Sequence, residues 1–478
     1  MIRLQCLPNL ARLLLLCISG FAQWLLVSSQ GQAMAQEQGQ STTQGQPPGQ
    51  WLAGVAKVNI TPATPMPMAG YAARGSKHAT GTLNELWAKA LLIEDARGHR
   101  GLLITMDLCG IDRDLAQELC ARLGDKLGLQ RQQIALSVSH THSGPVVAKN
   151  LRPMHYMMFD QSNQRLVDEY ADRLIEQVVS CAAEAAAGLK PSRLAHGSGV
   201  VTFATNRRNN PAAEVEHRRS TGTLAGPVDY SLPVLAVYQA DQLVATVFGY
   251  ACHCTTLSDL VWSSDYAGFA QDYLQAELPG CTAMFWAGCG ADQNPLPRNT
   301  VELAKSYGRE LADGVLRVAR GVTQPIEPAL RTQYQEIPLP FAELPSDQQL
   351  TADSQSDNPY VASRAKSLLA QIQAGQPLAA TYPYPIASWR LGNDLDWWIL
   401  GGEVVVDYAL AIKATATQPH VPWVMGYAND VMAYIPSRRV LTEGGYEGGG
   451  AMVYYGLPSA WAPDVEGLIL SEVKRQMQ

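Results

Sequence analysis

The chain has 478 residues, of which 47% are hydrophobic and 17% are charged, and its formal net charge is −7. This composition is ordinary for a globular protein and supplies enough apolar side chains for a large core. The acidic balance and the lack of a Lys/Arg cluster exclude a general nucleic-acid binder, so no nucleic-acid partner is expected.

The N-terminal segment has the pattern of an export signal. Arg3 and Arg12 supply positive charge, residues 13–27 are predominantly apolar, and Ala33-Met34-Ala35 fits the small-residue pattern of a cleavage site. We therefore expect a signal peptide over residues 1–35 and export to the periplasm or the extracellular space. The alternative interpretation is an uncleaved signal anchor.

Residues 36–50 are rich in Gln, Gly, Ser and Pro, a composition that predicts a disordered leader. No later stretch is long and apolar enough for a membrane span, so no transmembrane helix is expected in the mature chain. Over residues 51–478, strand and helix patterns alternate. This alternation predicts one α/β domain made of layered mixed β-sheets flanked by helices.

The predicted elements of this domain follow from hydrophobic periodicity and from turn residues. The predicted strands are Val55–Ile60, Ala88–Glu94, Leu102–Asp107, Ile134–Ser139, Arg193–Thr202, Leu232–Gln239, Leu243–Ala251, Thr282–Ala287, Leu395–Leu400 and Pro422–Tyr427. The predicted helices are 112–127, 166–187, 266–277, 301–320, 360–374 and 404–416. Segment 327–356, rich in Pro, Gln and acidic residues, predicts a surface excursion.

Seven cysteines, from Cys109 to Cys289, follow the predicted leader. An odd number in an exported chain leaves at least one unpaired or intermolecular. The alternative is that they are buried small hydrophobic residues.

The run Ser139-His140-Thr141-His142-Ser143-Gly144-Pro145 directly follows a predicted strand. Two residues apart on an extended chain, His140 and His142 would point to the same side. Such a pair at a strand exit could begin a metal site, although a lone strand histidine is more often a hydrogen-bonded structural residue.

Two further candidates also follow predicted strands. His253 comes after 243–251, and its neighbours Cys252 and Cys254 should point to the opposite side, so we favour the histidine alone as a ligand. Glu403 comes after an apolar strand and Gly401-Gly402, where a carboxylate needs a cation or a metal. The alternative for Glu403 is a helix N-terminal glutamate. Two histidines and a glutamate at strand ends suit a catalytic zinc with an open position.

Five short motifs together resemble the neutral (alkaline, non-lysosomal) ceramidase family, in register from about Gly54 to Gly450. The motifs are Val58-Asn59-Ile60-Thr61-Pro62, Pro67-Met68-Ala69-Gly70-Tyr71, the histidine run 139–145, Tyr434-Ile435-Pro436 and Gly445-Tyr446-Glu447-Gly448. The resemblance implies the catalytic domain of that family. Because little chain follows Glu447, we expect no counterpart of the family's C-terminal immunoglobulin-like domain.

Carried over residue by residue, the resemblance implies zinc bound by four residues: His140, His253, Glu403 and Tyr434. It also implies that His142 is a proton-transfer or substrate-orienting group and that Tyr446 hydrogen-bonds the scissile carbonyl oxygen. Asn206-Arg207 resembles a family pair whose arginine lies near the site.

The turn Gly288-Cys289-Gly290-Ala291-Asp292-Gln293-Asn294-Pro295 departs from the family pattern. Family members that cleave ceramide carry a Gly-Asp-Val-Ser-Pro-Asn turn with an essential serine, whereas Asp292 or Gln293 stands here. Metal-activated water needs no serine but does need a proton carrier, for which His142 or Asp292 is the candidate. Tyr446 and Arg207 would stabilise the oxyanion.

These residues lead us to expect an exported zinc-dependent hydrolase that cleaves the amide bond of an N-acyl, ceramide-like substrate. Its partner would be a small-molecule or lipid-like N-acyl compound. Two alternatives remain open. One is a metallohydrolase of the amidohydrolase class, and the other is a non-catalytic zinc-, lipid- or glycan-binding envelope protein of the same fold.

Overall fold

The computed structural model describes residues 50–321, 323–417 and 419–478. The expected signal peptide 1–35 and all but the last residue of the expected leader 36–50 lie outside these residues. The strands are β1 (Trp51–Asn59), β2 (Gly81–Thr82), β3 (Trp87–Glu94), β4 (Arg100–Met106), β5 (Ile134–Val138), β6 (Lys190–Val200), β7 (Ala204–Asn206), β8 (Ser231–Gln239), β9 (Gln242–Tyr250), β10 (Val261–Trp262), β11 (Thr282–Ala287), β12 (Gln293–Pro295), β13 (Gln324–Ile326), β14 (Leu330–Pro340), β15 (Thr381–Leu391), β16 (Leu395–Leu400), β17 (Glu403–Val404), β18 (Val421–Met425) and β19 (Tyr434–Ile435).

The helices begin and end where capping residues predict. Asp112 accepts hydrogen bonds from the N–H groups of the first turn of α1, and Gly128 ends that helix in the left-handed conformation, with φ 68°. The helices are α1 (Arg113–Leu127), α2 (Gln161–Ala187), α3 (Val215–Ser220), α4 (Asp265–Glu277), α5 (Val301–Arg320), α6 (Asp347–Asp353), α7 (Pro359–Gln373), α8 (Val406–Thr415), α9 (Arg438–Glu443), α10 (Met452–Tyr455) and α11 (Val465–Met477).

The larger sheet is mixed and runs in the order β11-β9-β8-β6-β1-β3-β4-β5, with β13 paired to β6. β5 is parallel to β4, and β11 is parallel to β9, whereas the central pairs are antiparallel. The face that packs against α1, α2, α4 and α5 carries a large buried cluster that includes Leu92, Ile104, Leu136, Leu174 and Leu311.

The second sheet, in the order β14-β15-β16-β18, packs against the other face of the larger sheet. A tryptophan-rich cluster fills the space between the two sheets, including Trp286, Trp389, Trp397 and Trp423. The outer face of the second sheet packs against α8 and α11 through a third cluster. The layers are therefore helix, sheet, sheet and helix, which confirms the predicted class of layered mixed sheets flanked by helices.

One sequence expectation about the fold is wrong. Segment 327–356 is not only a surface excursion, because it contains β14, which pairs with β15 along its whole length. The prolines and alternating polar residues of β14 suit an edge strand with one exposed face. The same residue types are common in surface loops, so the composition of the segment did not predict a strand.

All seven cysteines from Cys109 to Cys289 are free and buried, as the small-hydrophobe interpretation predicts. Among the described helices, none is both long and apolar enough to cross a membrane.

Candidate metal centre and active site

Three strands each carry a candidate ligand just after their C-terminal ends. His140 follows β5, His253 follows β9 and Glu403 follows β16. His140 has a positive φ of 59°, so the chain leaves the extended conformation before this residue. Gly402 has φ 75°, and a Cβ there would lie 2.6 Å from Ile435 Cγ1, so only glycine lets the chain turn into Glu403 at this point.

The three side chains meet in the protein interior. His140 Nε2 and His253 Nε2 each lie 3.2 Å from Glu403 Oε2. One ligand atom from each residue lies within 4.8 Å of the others, and all three residues are buried. The strand-end pattern of the sequence thus brings these residues into one cluster, which we call the His/Glu cluster.

The backbone fixes the orientation of both imidazoles. His140 Nδ1 lies 2.5 Å from the Cys109 carbonyl oxygen, and His253 Nδ1 lies 2.7 Å from the Gly290 carbonyl oxygen. An Nδ1–H that donates to a carbonyl leaves Nε2 with a free lone pair, as in metal-binding histidines. Both Nε2 atoms are directed at Glu403 Oε2.

The hydrogen bonding of Glu403 tests whether the cluster fits a metal. Its Oε1 accepts a hydrogen bond from the Tyr455 hydroxyl, whereas its buried Oε2 has no hydrogen-bond partner among the described atoms. A buried carboxylate oxygen without a donor is costly, and a cation would relieve that cost. Two imidazole nitrogens and a carboxylate oxygen are a donor set that zinc accepts.

The electrostatics of the cluster also favour a cation. Burial would raise the pKa of Glu403, but His140 and His253 outweigh it and hold the pKa well below its usual range. Burial would lower the pKa of His140, but the Glu403 carboxylate outweighs it and raises the pKa to about 10. The carboxylate therefore stays ionised, and a metal ion between the side chains would take the place of the proton that it otherwise holds on His140.

Tyr434 lies beside Glu403 because β17 and β19 pair in parallel with these two residues in register. Its hydroxyl is 3.4 Å from His253 Nε2 and accepts a hydrogen bond from Arg207 Nη2 at 3.1 Å. Arg207 also donates to Glu447 Oε1 at 2.7 Å, so its charge is paired.

His142 stands next to His140, with 3.1 Å between the two Nε2 atoms, and it is partly exposed. A Cβ on Gly70 would lie 2.5 Å from His142 Cγ, so the glycine of the Pro67–Tyr71 motif makes room for this ring. Burial and the neighbouring His140 and His253 hold the pKa of His142 well below its usual value, which keeps the imidazole neutral.

The chain is similar in sequence to proteins of known family. Residues 51–284 match the sequence model of the N-terminal domain of neutral/alkaline non-lysosomal ceramidases. The chain belongs to this family. Over 232 residues it is 27% identical to the neutral ceramidase of Pseudomonas aeruginosa, an alignment that covers 47% of the chain and 33% of that relative. Over 199 residues it is 21% identical to neutral ceramidase B of Dictyostelium discoideum, covering 40% of the chain and 27% of that relative.

The fold of the family extends over most of the chain. The crystal structure of the Pseudomonas aeruginosa neutral ceramidase superimposes with a TM-score of 0.67 at 20% identity, covering 88% of this chain and 73% of that one. A ceramidase complexed with C2 gives the same TM-score at 19% identity. By contrast, the sequence alignments span about a third or less of the curated neutral ceramidases.

The turn Gly288–Pro295 packs against the His/Glu cluster, since the Gly290 carbonyl oxygen lies 2.7 Å from His253 Nδ1. Asp292 is fully buried, and its carboxylate accepts hydrogen bonds from the Val406 N–H at 2.9 Å and from Asn206 Nδ2 at 3.0 Å. It therefore anchors the first turn of α8. That Asp292 also carries a proton stays a prediction, and burial raises the pKa of its carboxyl to about 6.

The other residue expected in that region, Gln293, is also held in place. Its Oε1 accepts from the Asp229 N–H at 3.0 Å, and its side-chain amide donates to the Ala251 carbonyl oxygen. From the same turn, Asn294 Oδ1 accepts from Arg207 Nη1 at 3.1 Å. In this neutral ceramidase relative, the turn supports Arg207 and the strand end before His253.

Tyr446 lies on the solvent side of the cluster. Its side chain is 47% exposed, and its ring centroid is 5.3 Å from that of Tyr434. The Arg207 guanidinium carbon is 6.0 Å from the Tyr446 ring centroid. Tyr446 and Arg207 thus lie together between the buried Tyr434 and solvent.

Sequence reasoning missed three residues of the site. Tyr427 has φ 53°, and the centroid of its ring lies 4.5 Å from that of His140. The Tyr455 hydroxyl donates a hydrogen bond to Glu403. The Cys109 carbonyl oxygen orients the His140 ring. Tyr427 ends a predicted strand, as the ligand candidates do, and this position was the available signal. Tyr455 and Cys109 have no comparable local pattern.

Proposed function

We propose that this chain is a zinc-dependent hydrolase that cleaves the amide bond of an N-acyl substrate. Ceramide is the first substrate to test, because the chain belongs to the neutral ceramidase family. The observation that carries the proposal is the convergence of His140, His253 and Glu403 around a carboxylate oxygen that lacks a hydrogen-bond donor.

The proposed zinc ligands are His140, His253, Glu403 and Tyr434. Zinc, when bound, lowers the pKa of its bound water to about 7 and polarises a carbonyl group. The Cys109 and Gly290 carbonyls hold the two imidazoles in the required tautomer.

The remaining steps belong to side chains around the cluster. Amide hydrolysis forms a bond from the carbonyl carbon to a water oxygen and breaks the C–N bond, so a proton must reach the leaving nitrogen. His142 stands beside the cluster, and its buried Nδ1 has no hydrogen-bond partner among the described atoms, which leaves a ring nitrogen free to pass this proton on. The Tyr446 hydroxyl and the Arg207 guanidinium would stabilise charge on the carbonyl oxygen.

The test combines metal content with hydrolysis. We expect purified protein to contain close to one zinc per chain and to lose its activity on N-acyl substrates after chelation. His140→Gln should lose both properties. The matched control is His196→Gln, because His196 is equally buried but pairs with Asp394. Activity on every tested amide that survived complete zinc removal would contradict the proposal.

We also propose that the chain is exported. The support is the pattern of Arg3, Arg12, the apolar run 13–27 and Ala33-Met34-Ala35. Sequencing the N terminus of the protein recovered from the periplasm or medium should place it at Gln36. Recovery of the whole pool in the cytoplasm, starting at Met1, would contradict export.

A further inference from the structure

Arg74 is a buried cation that forms no ion pair with any of the described carboxylates. It is 6% exposed, and its guanidinium donates to three backbone carbonyl oxygens: Ala69 at 3.0 Å, Asp259 at 2.9 Å and His142. Its Nε has no hydrogen-bond partner among the described atoms. An unpaired charge is costly to bury, and the charge-assisted bonds to three carbonyl groups offset that cost. The guanidinium therefore holds three segments of the chain together.

These three segments surround His142. One contains Gly70, the glycine that makes room for the His142 ring. Another is the loop between β9 and β10, which contains Asp259 and also supplies the Cys254 carbonyl oxygen to the His142 N–H at 3.2 Å. The backbone N–H and C=O of His142 are therefore both fixed, the first by this loop and the second by Arg74.

The position of the His142 ring depends on these supports, because few hydrogen bonds hold the ring itself. Its Nδ1 has no partner among the described atoms, and its Nε2 lies 3.1 Å from His140 Nε2. The Tyr71 ring packs against it, with the two centroids 4.7 Å apart. Tyr71 is held in turn by its hydroxyl, which donates to the Leu257 carbonyl oxygen at 3.1 Å, and by the Arg74 guanidinium, 4.7 Å from its ring centroid. Arg74 thus supports His142 through its backbone and through the neighbouring ring.

We propose that Arg74 is a positioning residue, which holds His142 where its ring can pass a proton to the leaving nitrogen. The inference rests on the proposed amide hydrolysis, in which a water oxygen bonds to the carbonyl carbon, the C–N bond breaks and the proton ends on that nitrogen. Displacing a reacting group by about 1 Å can slow a reaction by about 10²-fold. Loss of Arg74 therefore slows the step that needs the proton and leaves substrate binding unchanged.

The first test compares two substrates that share one acyl chain. The amine of N-octanoylsphingosine must gain a proton to leave, whereas the phenolate of p-nitrophenyl octanoate leaves without one. For Arg74→Met with wild-type zinc content, we expect kcat for the amide to fall by about 10²-fold and KM to stay within about twofold. We expect kcat for the ester to stay within about threefold. An equal loss on both substrates would overturn the positioning role.

The second test asks whether Arg74 acts through His142. His142→Ala removes the ring, so a further Arg74→Met substitution then has little left to displace. We expect kcat of the double variant for the amide to lie within about threefold of that of His142→Ala. A further loss of about 10²-fold in the double variant would show that Arg74 acts independently of His142 and would overturn the inference.

Two more variants separate positioning from folding. Arg219→Met is the matched control, because Arg219 also donates to backbone carbonyl oxygens, those of Thr202 at 2.7 Å and Phe203 at 3.2 Å, away from the cluster. It should lower stability and leave kcat for the amide within about twofold. Arg74→Lys keeps the cation with fewer donors, so its kcat for the amide should fall by about tenfold, with the ester unaffected. Arg74→Lys gives the same comparison if Arg74→Met does not fold.

The outcomes distinguish this inference from the proposed function. An active wild type whose folded Arg74→Met or Arg74→Lys variant kept the full kcat for the amide would overturn the positioning role alone. Wild-type protein with full zinc content that hydrolysed no N-acyl amide would overturn the proposed function, and the positioning role with it.

Discussion

Two buried carboxylates, Glu403 of the His/Glu cluster and Asp292 of the turn 288–295, differ in the partners of their oxygens. Glu403 is 2% exposed and Asp292 is 0% exposed. Each oxygen of Asp292 accepts a hydrogen bond, from the Val406 N–H and from Asn206. In contrast, Glu403 Oε2 faces the Nε2 atoms of two imidazoles, each at 3.2 Å. Burial alone does not distinguish the two acids, whereas the partners of each oxygen do.

The largest expected effect comes from Glu403→Gln. The amide keeps the size of the side chain but removes its charge, so the two histidines lose the group that attracts a cation. We expect zinc content to fall below about a tenth of wild type and kcat/KM to fall by at least about 10³-fold. Mass spectrometry of the native protein and steady-state kinetics would measure the two quantities.

The matched control for this substitution is Glu336→Gln, which changes a half-buried glutamate paired with Arg113 outside the site. It should retain zinc and activity. A Glu403→Gln protein that keeps full zinc content would show that Glu403 is not a ligand.

A smaller effect on the same carboxylate is expected from Tyr455→Phe. The Tyr455 hydroxyl donates to Glu403 Oε1 and so orients the carboxylate. Loss of such a supporting hydrogen bond typically lowers metal affinity by about 10–100-fold. Competition with a zinc chelator would measure the affinity. Tyr408→Phe, in which the lost hydroxyl donates to the Pro436 carbonyl instead, is the control and should leave zinc affinity unchanged. Equal affinities for Tyr455→Phe and wild type would contradict the orienting role.

The contrast between Glu403 and Asp292 also explains what the sequence could predict. Side chains that directly follow strands have a direction set by the local chain, so His140, His253 and Glu403 could be selected as candidate ligands from their positions at strand ends. His140 reaches the cluster through a left-handed turn rather than through simple alternation, which local pattern does not show.

Asp292 could not be assigned in the same way. The direction of its side chain depends on the N–H of Val406, more than a hundred residues later in the chain. Residues in turns follow no regular periodicity, so the sequence around Asp292 does not predict that direction. Tyr455 and the pairing of β14 with β15 were missed for the same reason, since each is defined by a distant partner. The layered α/β class depends on patterns along the whole chain and was therefore predictable.

The third prediction tests the structural role of Asp292 directly. Asp292→Asn keeps one acceptor for the Val406 N–H but places an NH₂ group against the Asn206 amide. We expect the free energy of unfolding to fall by about 1–2 kcal/mol. We expect kcat to remain within about fivefold of wild type, since the carboxylate contacts no reacting group.

Urea unfolding and steady-state kinetics would measure the two effects. A kcat that fell by about 10³-fold with unchanged stability would show that Asp292 acts as the proton carrier instead.

A third buried carboxylate, Asp430, extends the comparison to pH. Its Oδ2 accepts from the Tyr382 hydroxyl at 2.6 Å, its Oδ1 has no partner among the described atoms, and burial raises its pKa to about 7. The folded protein therefore binds a proton more tightly at Asp430 than the unfolded chain does. As a result, the free energy of unfolding should decrease as pH rises from about 4 to about 7.

Asp430→Asn removes this one-proton dependence. The free energy of unfolding of the variant, relative to wild type, should rise by up to about 1.4 kcal/mol per pH unit over that interval and level off above it. Urea unfolding at half-unit steps of pH would measure the difference, with Asp114→Asn, an exposed acid on α1, as the control. Parallel pH profiles for Asp430→Asn and wild type would mean that the Asp430 carboxylate is ionised in the folded protein. In that case an unpartnered buried oxygen at Asp430 would need a cation, as we propose for Glu403.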